Sequence, residues 1–278
     1  MQKKGILLVV VILLSAAGLC QAAAGELHGT IDVTYLSKYI WRGFDLYGDK
    51  SAIQPALDLD LYGTGFGMGV IGHRANSDKY EKDERWDYSL YYGNKLCEGE
   101  PLATNYRISW VYYNYPERSS HSTKNSTDGF DLQEVNGMFS WPNILPVKGL
   151  VPSYVLVKMW PTNSGSWVGR KATTTGTASG FAHIFMLDYP LQLQGVLPET
   201  PPQVLNLHSE VIYNDGIGPQ GQNIDQDWTN AVFGISTNFD LGNKVTLTPG
   251  VYHQITMDKS ANPDKDETWA SMSLKYAF

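Results

Sequence analysis

From residue 26 to its last position the chain places apolar side chains mostly at every second residue, between clusters of Gly, Asn, Asp and Pro. That period belongs to β-strands whose two faces meet different surroundings. Ile53, Pro55, Leu57, Leu59 and Leu61 alternate with Gln54, Ala56, Asp58, Asp60 and Tyr62. Trp86, Tyr88, Leu90 and Tyr92 oppose Asp87, Ser89 and Tyr91, and Leu205, Leu207, Val211 and Tyr213 oppose Asn206, His208 and Glu210. No stretch shows helical periodicity. Tyrosine (17), tryptophan (8) and glycine (27) are frequent, a mixture that a pleated surface accepts better than a helix does.

The pattern predicts twelve strands, near 27–42, 51–62, 65–75, 84–93, 103–114, 130–141, 150–160, 179–189, 203–214, 227–239, 244–257 and 266–278. An even number lets both chain ends lie on one side of a barrel, and such barrels alternate short turns with long outer loops. The gaps largely alternate in this way. Polar stretches at 43–50, 76–83, 115–129, 161–178, 215–226 and 258–265 read as outer loops, of which 115–129 and 161–178 are long enough to fold inward as a constriction. Gly63 to Thr64 and Asp240 to Asn243 read as tight turns. The gaps 94–102, 142–149 and 190–202 are longer, and the last could hide a strand pair. The fold class expected is all-β, an antiparallel up-and-down transmembrane β-barrel of about twelve strands, built as one domain from residues 25–278. A secreted sandwich or soluble barrel shares the alternation. Aromatics near strand ends, Tyr39, Trp41, Trp86, Trp141, Trp160, Trp228 and Trp269, favour the membrane, because they suit interfacial girdles.

The first residues carry an address. Lys3 and Lys4 precede an apolar run from Ile6 to Leu14 and then Ala22, Ala23 and Ala24, which reads as a secretory signal peptide cleaved after Ala24. The apolar run is too short to span comfortably. Cys20 follows Leu19, where a lipoprotein signal would carry a small residue. Losing the two lysines makes the net charge of -7 more negative, a balance that argues against nucleic acid as a partner. Cys97 is then left without a second cysteine, so no internal disulfide can hold the fold.

The last strand alternates to its end: Met272, Leu274, Tyr276 and Phe278 on one face, Ser271, Ser273, Lys275 and Ala277 on the other. Tyr276 and the terminal Phe278 resemble the signal read by the bacterial barrel-assembly machinery. Near the other end stand Tyr35-Leu36-Ser37-Lys38-Tyr39-Ile40-Trp41-Arg42-Gly43, then Ile53-Gln54-Pro55-Ala56-Leu57, then the glycine-rich Gly65-Phe66-Gly67-Met68-Gly69-Val70. These segments resemble the opening of the TorF-like family of outer-membrane porins. The likeness covers the first fifty or so residues after the signal and the last ten. It implies a barrel in the outer membrane of a Gram-negative cell, in contact with outer-membrane lipids and lipopolysaccharide and with the assembly machinery. It does not name a solute, since such families are called porins from their architecture.

Registering each strand by its apolar face turns Asp32, Lys38, Arg42, Asp58, Asp60, Asp87, Arg107, Glu134, Lys158, Asp188, Glu210 and Lys275 inward. Charges belong there, because the lipid side would penalise them near the midplane. They are expected to line a narrow passage for small hydrophilic solutes. The alternative is a salt-bridged, plugged barrel that is structural or displays its loops, since twelve strands fall between filled and open barrels. Gly43 is expected to permit a turn and Arg42 to pair with a lumen acid. A lipid-modifying enzyme is a third reading: His183 and His253 fall on outward faces, but neither sits in a nucleophile motif, so no catalytic residue is nominated. No cofactor is expected, and no metal: Asp78, Asp83 and Glu84, and Asp264, Asp266 and Glu267, read as solvated loop acids without EF-hand spacing.

Overall fold

The computed structural model describes residues 25–116, 131–161, 180–194, 202–215, 226–259, 262 and 265–278. The expected signal peptide, most of the loops at 115–129, 161–178 and 215–226, and most of the long gap at 190–202 lie outside the described residues. Twelve strands form the wall: β1 His28–Leu36, β2 Ala52–Asp60, β3 Phe66–Ala75, β4 Arg85–Leu96, β5 Thr104–Asn114, β6 Leu132–Ser140, β7 Val151–Pro161, β8 Gly180–Leu193, β9 Gln203–Asp215, β10 Asp227–Thr237, β11 Val245–Thr256 and β12 Glu267–Ala277. Each pairs antiparallel with the next, and β12 pairs back onto β1 from Leu36↔Ser271 to Thr30↔Ala277. Gly29 and Phe278 finish the seam by exchanging backbone hydrogen bonds of 3.2 and 3.0 Å. A closed ring leaves no edge strand, and it pairs the backbone amides that hydrocarbon could not solvate.

The apolar faces point outward. Ile31, Val33 and Tyr35 on β1, Leu90 on β4, Ile108 on β5, and Phe233 and Ile235 on β10 are all exposed. In water such a surface would be a liability; facing lipid it is the solvated side. Tyr154, His183, Tyr213, Trp228 and Phe185 touch ring to ring on the outward wall of β7 to β10, with centroids 5.1–6.2 Å apart. Of these, His183, Tyr213 and Trp228 lie toward the strand ends remote from the chain termini, as rings that meet headgroups do, and Tyr154 and Phe185 lie nearer mid-wall.

Two features depart from the sequence pattern. Strand β1 stops at Leu36 and not near 42. Arg42 (φ 50°) and Gly43 (φ 95°) both take positive φ, as a tight two-residue hairpin turn requires, so Ile40–Trp41 folds onto Phe44–Asp45. Residues 37–51 therefore enter the barrel instead of forming an outer loop, and Tyr39 and Trp41 sit inside it and not in a girdle. Trp269 also faces inward, stacked on Tyr252 at 5.5 Å, because it shares the face of Glu267 and Ser271 on β12. The second departure is Lys158. Val157 and Met159 are buried inside, so Lys158 points outward with its ammonium 4.2 Å from the Phe181 ring centre. The inner face of β7 is as apolar as its outer face, because it packs against the hairpin, and the apolar-face rule picks the wrong side there.

Candidate functional site in the barrel lumen

The hairpin crosses the lumen and is fastened on several walls. At its tip the Arg42 guanidinium donates two hydrogen bonds of 2.8 Å to the Glu134 carboxylate on β6. That carboxylate is wholly buried, and it also accepts from Tyr113 Oη at 2.8 Å and Asn136 Nδ2 at 2.7 Å. Such a pair holds its geometry because every lone pair is used. The Gly43 carbonyl accepts from Gln254 Nε2 on β11 at 2.7 Å and from Asn262 Nδ2 at 2.9 Å. A methyl at residue 43 would lie 2.2 Å from Asn230 Oδ1 on β10, so glycine is needed for closeness as well as for φ.

Behind the tip, Trp41 lies between two guanidiniums, Arg42 at 4.7 Å and Arg85 at 4.6 Å from its ring centre. Arg85, at the start of β4, also reaches the faces of Tyr113 and Tyr39, donates to Tyr39 Oη at 2.7 Å and pairs with Asp87. His73 Nε2 completes the group, 2.9 Å from Asp87. Trp41 packs on an apolar cluster of inward residues from β5 to β9, among them Leu132, Val157, Met159, Ile184 and Ile212. The returning limb is held by Tyr47, whose hydroxyl donates to the His73 carbonyl at 2.9 Å.

At the loop's root Lys38 binds both Asp49 and Glu267. Hydrogen bonds to Asp49 and Glu267 raise the Lys38 ammonium above its usual range, and the bond from Lys38, helped by Lys265, lowers the Asp49 carboxyl. Carboxylate oxygens of Asp45, Asp49 and Glu267 come within 4.8 Å of one another, but Lys38 and Lys265 already place their ammonium groups among them. The lysines do there what a bound cation would do.

On the side of the hairpin toward the chain termini the charged side chains are more exposed. Arg107 lies 3.4 Å over the Tyr91 ring, with a nitrogen 3.4 Å from Asp58, and Tyr91 Oη donates to Asp58 at 2.7 Å. The side chains of Asp58 and Arg107 are 45% and 42% exposed. Asp188, 49% exposed, meets His208 Nδ1 at 2.7 Å. Asp32 accepts from Ser273 and Thr34 and stands opposite Lys275 in the register.

The charged residues expected inward thus separate into groups. Lys38, Arg42 and Glu134 seat the hairpin, with Asp87 just behind it. Asp32, Asp58, Arg107, Asp188 and Lys275 share the lower lumen by register, Glu210 lies beside the hairpin tip in the row of Val232 and Gln254, and Asp60 accepts from the Gly63 amide at the β2–β3 turn. Only Lys158 of the set stands outside. Sequence reading passed over Arg85, His73 and Gln254, and took Glu267 for a solvated loop acid, whereas it is buried at the start of β12 and pairs with Lys38. Parity was the available signal for Glu267, which extends the inward series Ser271, Ser273 and Lys275 by two steps. His183 and His253 face outward beside Tyr154 and Thr268.

A closed barrel with an apolar exterior, a charged lumen and a loop folded inside has the architecture of outer-membrane β-barrels. Residues 20–148, just under half of the chain, match the model of a family described as a bacterial protein of unknown function (Gcw_chp). That description differs from the TorF-like name to which the N-terminal strands pointed, while the barrel likeness is common ground. No curated protein matches the chain. Among solved structures it is similar to the KdgM porin in complex with disordered oligogalacturonate, at 8% identity over 90% of this chain and 99% of that one, TM-score 0.50. The NanC porin gives 9% identity over 89% and 98%, TM-score 0.50. The COG4313 outer membrane channel from Pseudomonas putida F1 gives 11% over 92% and 96%, TM-score 0.49. At such identities the likeness concerns the fold, and function has to be argued from the site.

Proposed function

We propose that this chain is an outer-membrane channel for small hydrophilic solutes, narrowed from within by residues 37–51. The observation that carries the proposal is the half-exposed charge of Asp58, Arg107 and Asp188 on the inner wall. Side chains so exposed inside a barrel border a water-filled space, whereas a filled barrel would bury them. The KdgM porin, of like fold, is named in complex with an oligogalacturonate, a hydrophilic solute of the kind such a lumen admits. In this reading residues 1–24 direct export, Tyr276 and Phe278 present the end of β12 to the assembly machinery, and the outward aromatics meet membrane lipid and lipopolysaccharide. No catalytic step is part of it. The test is planar-bilayer recording of the purified, refolded chain. Discrete current steps are expected, and a refolded barrel that gives none contradicts the proposal.

The apolar cluster around Trp41 favours a second reading, a plugged barrel whose hairpin never leaves its seat. Its mark would be a silent bilayer even after the hairpin is removed.

A further inference from the structure

We infer that the channel passes small cations in preference to anions, with Asp60 and Asp188, which no lysine or arginine among the described residues pairs, as the residues that set the preference; this rests on the channel reading above. The observation is an uneven pairing of charge along the lumen. In the outer half each buried carboxylate has its own cation: Asp87 has Arg85, Glu134 has Arg42, and Glu267 has Lys38. That half is close to neutral and contributes little field.

The periplasmic half is different. Among the described residues, Asp32, Asp58, Asp60 and Asp188 face the lumen there, against Lys95, Arg107 and Lys275. Each of those cations is already spoken for. Lys95 is held at the mouth by Glu98 of the neighbouring turn, 3.2 Å away. Arg107 lies flat on Tyr91 and against Asp58. Lys275 is the register partner of Asp32. Asp188 is left with only His208, which lies two residues from Glu210 on the same face of β9 and next to it in the lumen. Asp60 is left at the mouth, bonded to a backbone amide.

A narrow water column in a low-dielectric wall focuses the field of such an excess, and physiological screening over about 8 Å does not erase it across a lumen of this kind. Carboxylates lining a passage enrich cations in it and repel anions, as acidic rings do in cation channels. Asp60 and Asp188 lie on β2 and β8, so a permeating ion meets acid from separate parts of the wall.

The test is the reversal potential of the wild-type protein in planar bilayers of neutral lipid under a potassium chloride gradient at pH 7. Potassium should be preferred over chloride. Asp188→Asn combined with Asp60→Asn should lower the permeability ratio by about twofold or more, and Lys158→Gln, on the outer face, should leave it unchanged. Chloride preference, no preference, or an unmoved ratio in the double variant would overturn the inference while leaving a channel in place. A silent bilayer would remove the channel reading itself. Only inserted, folded protein produces current steps, and the wild-type ratio alone decides the sign should a variant misfold.

Discussion

Arg42 is the residue on which the lumen depends most. Its partner Glu134 is fully buried, so truncating the arginine strands a carboxylate, a loss of about 3–5 kcal/mol. The hairpin should give way before the barrel does, because the wall has its own complete ladder. In Arg42→Ala, trypsin added to the folded protein should cut at Lys38, which Asp49 and Glu267 hold in the wild type. Glu134→Gln should be milder, since the amide oxygen still accepts from Tyr113. The root of the loop responds to pH in a definite direction. Asp49 is held below its ordinary value, so its contribution is present above the ordinary carboxyl pKa and is lost as pH falls through the lowered one. Lys38 is raised, so its contribution is present below the ordinary lysine value and is lost only as pH rises through the raised one. Protection of residues 38–50 against amide hydrogen exchange is therefore expected to stay level from about pH 5 to 10 and to weaken in acid below about pH 4. The change should be small, because Asp49 is exposed. A transition centred between pH 6 and 7 would assign the seat to other groups. The pairing of Arg42 with a lumen acid was legible in the sequence; its partner was not, because 92 residues separate the two and only closure of the barrel brings them together.

Among elements, the hairpin and one bulge act together. The β9–β10 register slips between Ile212 and Tyr213, pairing them with Asn230 and Trp228, so Thr229 is an extra residue. That insertion lets Trp228 face lipid while Asn230 faces Gly43, the kind of re-aiming that bulges provide. Gly43→Ala should unseat the tip by about 1 kcal/mol or more, from positive φ and the clash with Asn230. Adding Asn230→Ala should recover the steric part and not the backbone part, so a double-mutant cycle in denaturant should give a coupling clearly different from zero. Alternation made the wall strands readable, since lipid and lumen select opposite chemistries at successive residues. It misled at two places for one reason. Where a strand's inner face is packed against the hairpin, as on β7, or where the hairpin itself continues the alternation through Tyr39 and Trp41, apolar no longer means outward. The Arg42-Gly43 dipeptide was the local sign that the chain turns there.

For the molecule as a whole, closure and occlusion are separable. Deleting Phe278 removes the two seam hydrogen bonds with Gly29 and the ring stacked on Tyr276, and should reduce the yield of the compact, heat-modifiable form on gels without altering the hairpin. In the proposed channel, by contrast, the passage is narrowed by the few residues that turn back into the lumen. Its central claim can be measured directly by comparing single-channel conductance of the wild type with a variant whose residues 40–45 are replaced by a two-glycine link. The barrel should remain folded and its conductance should rise several-fold. Equal conductance in the two proteins, both folded, would contradict an inward hairpin as the constriction.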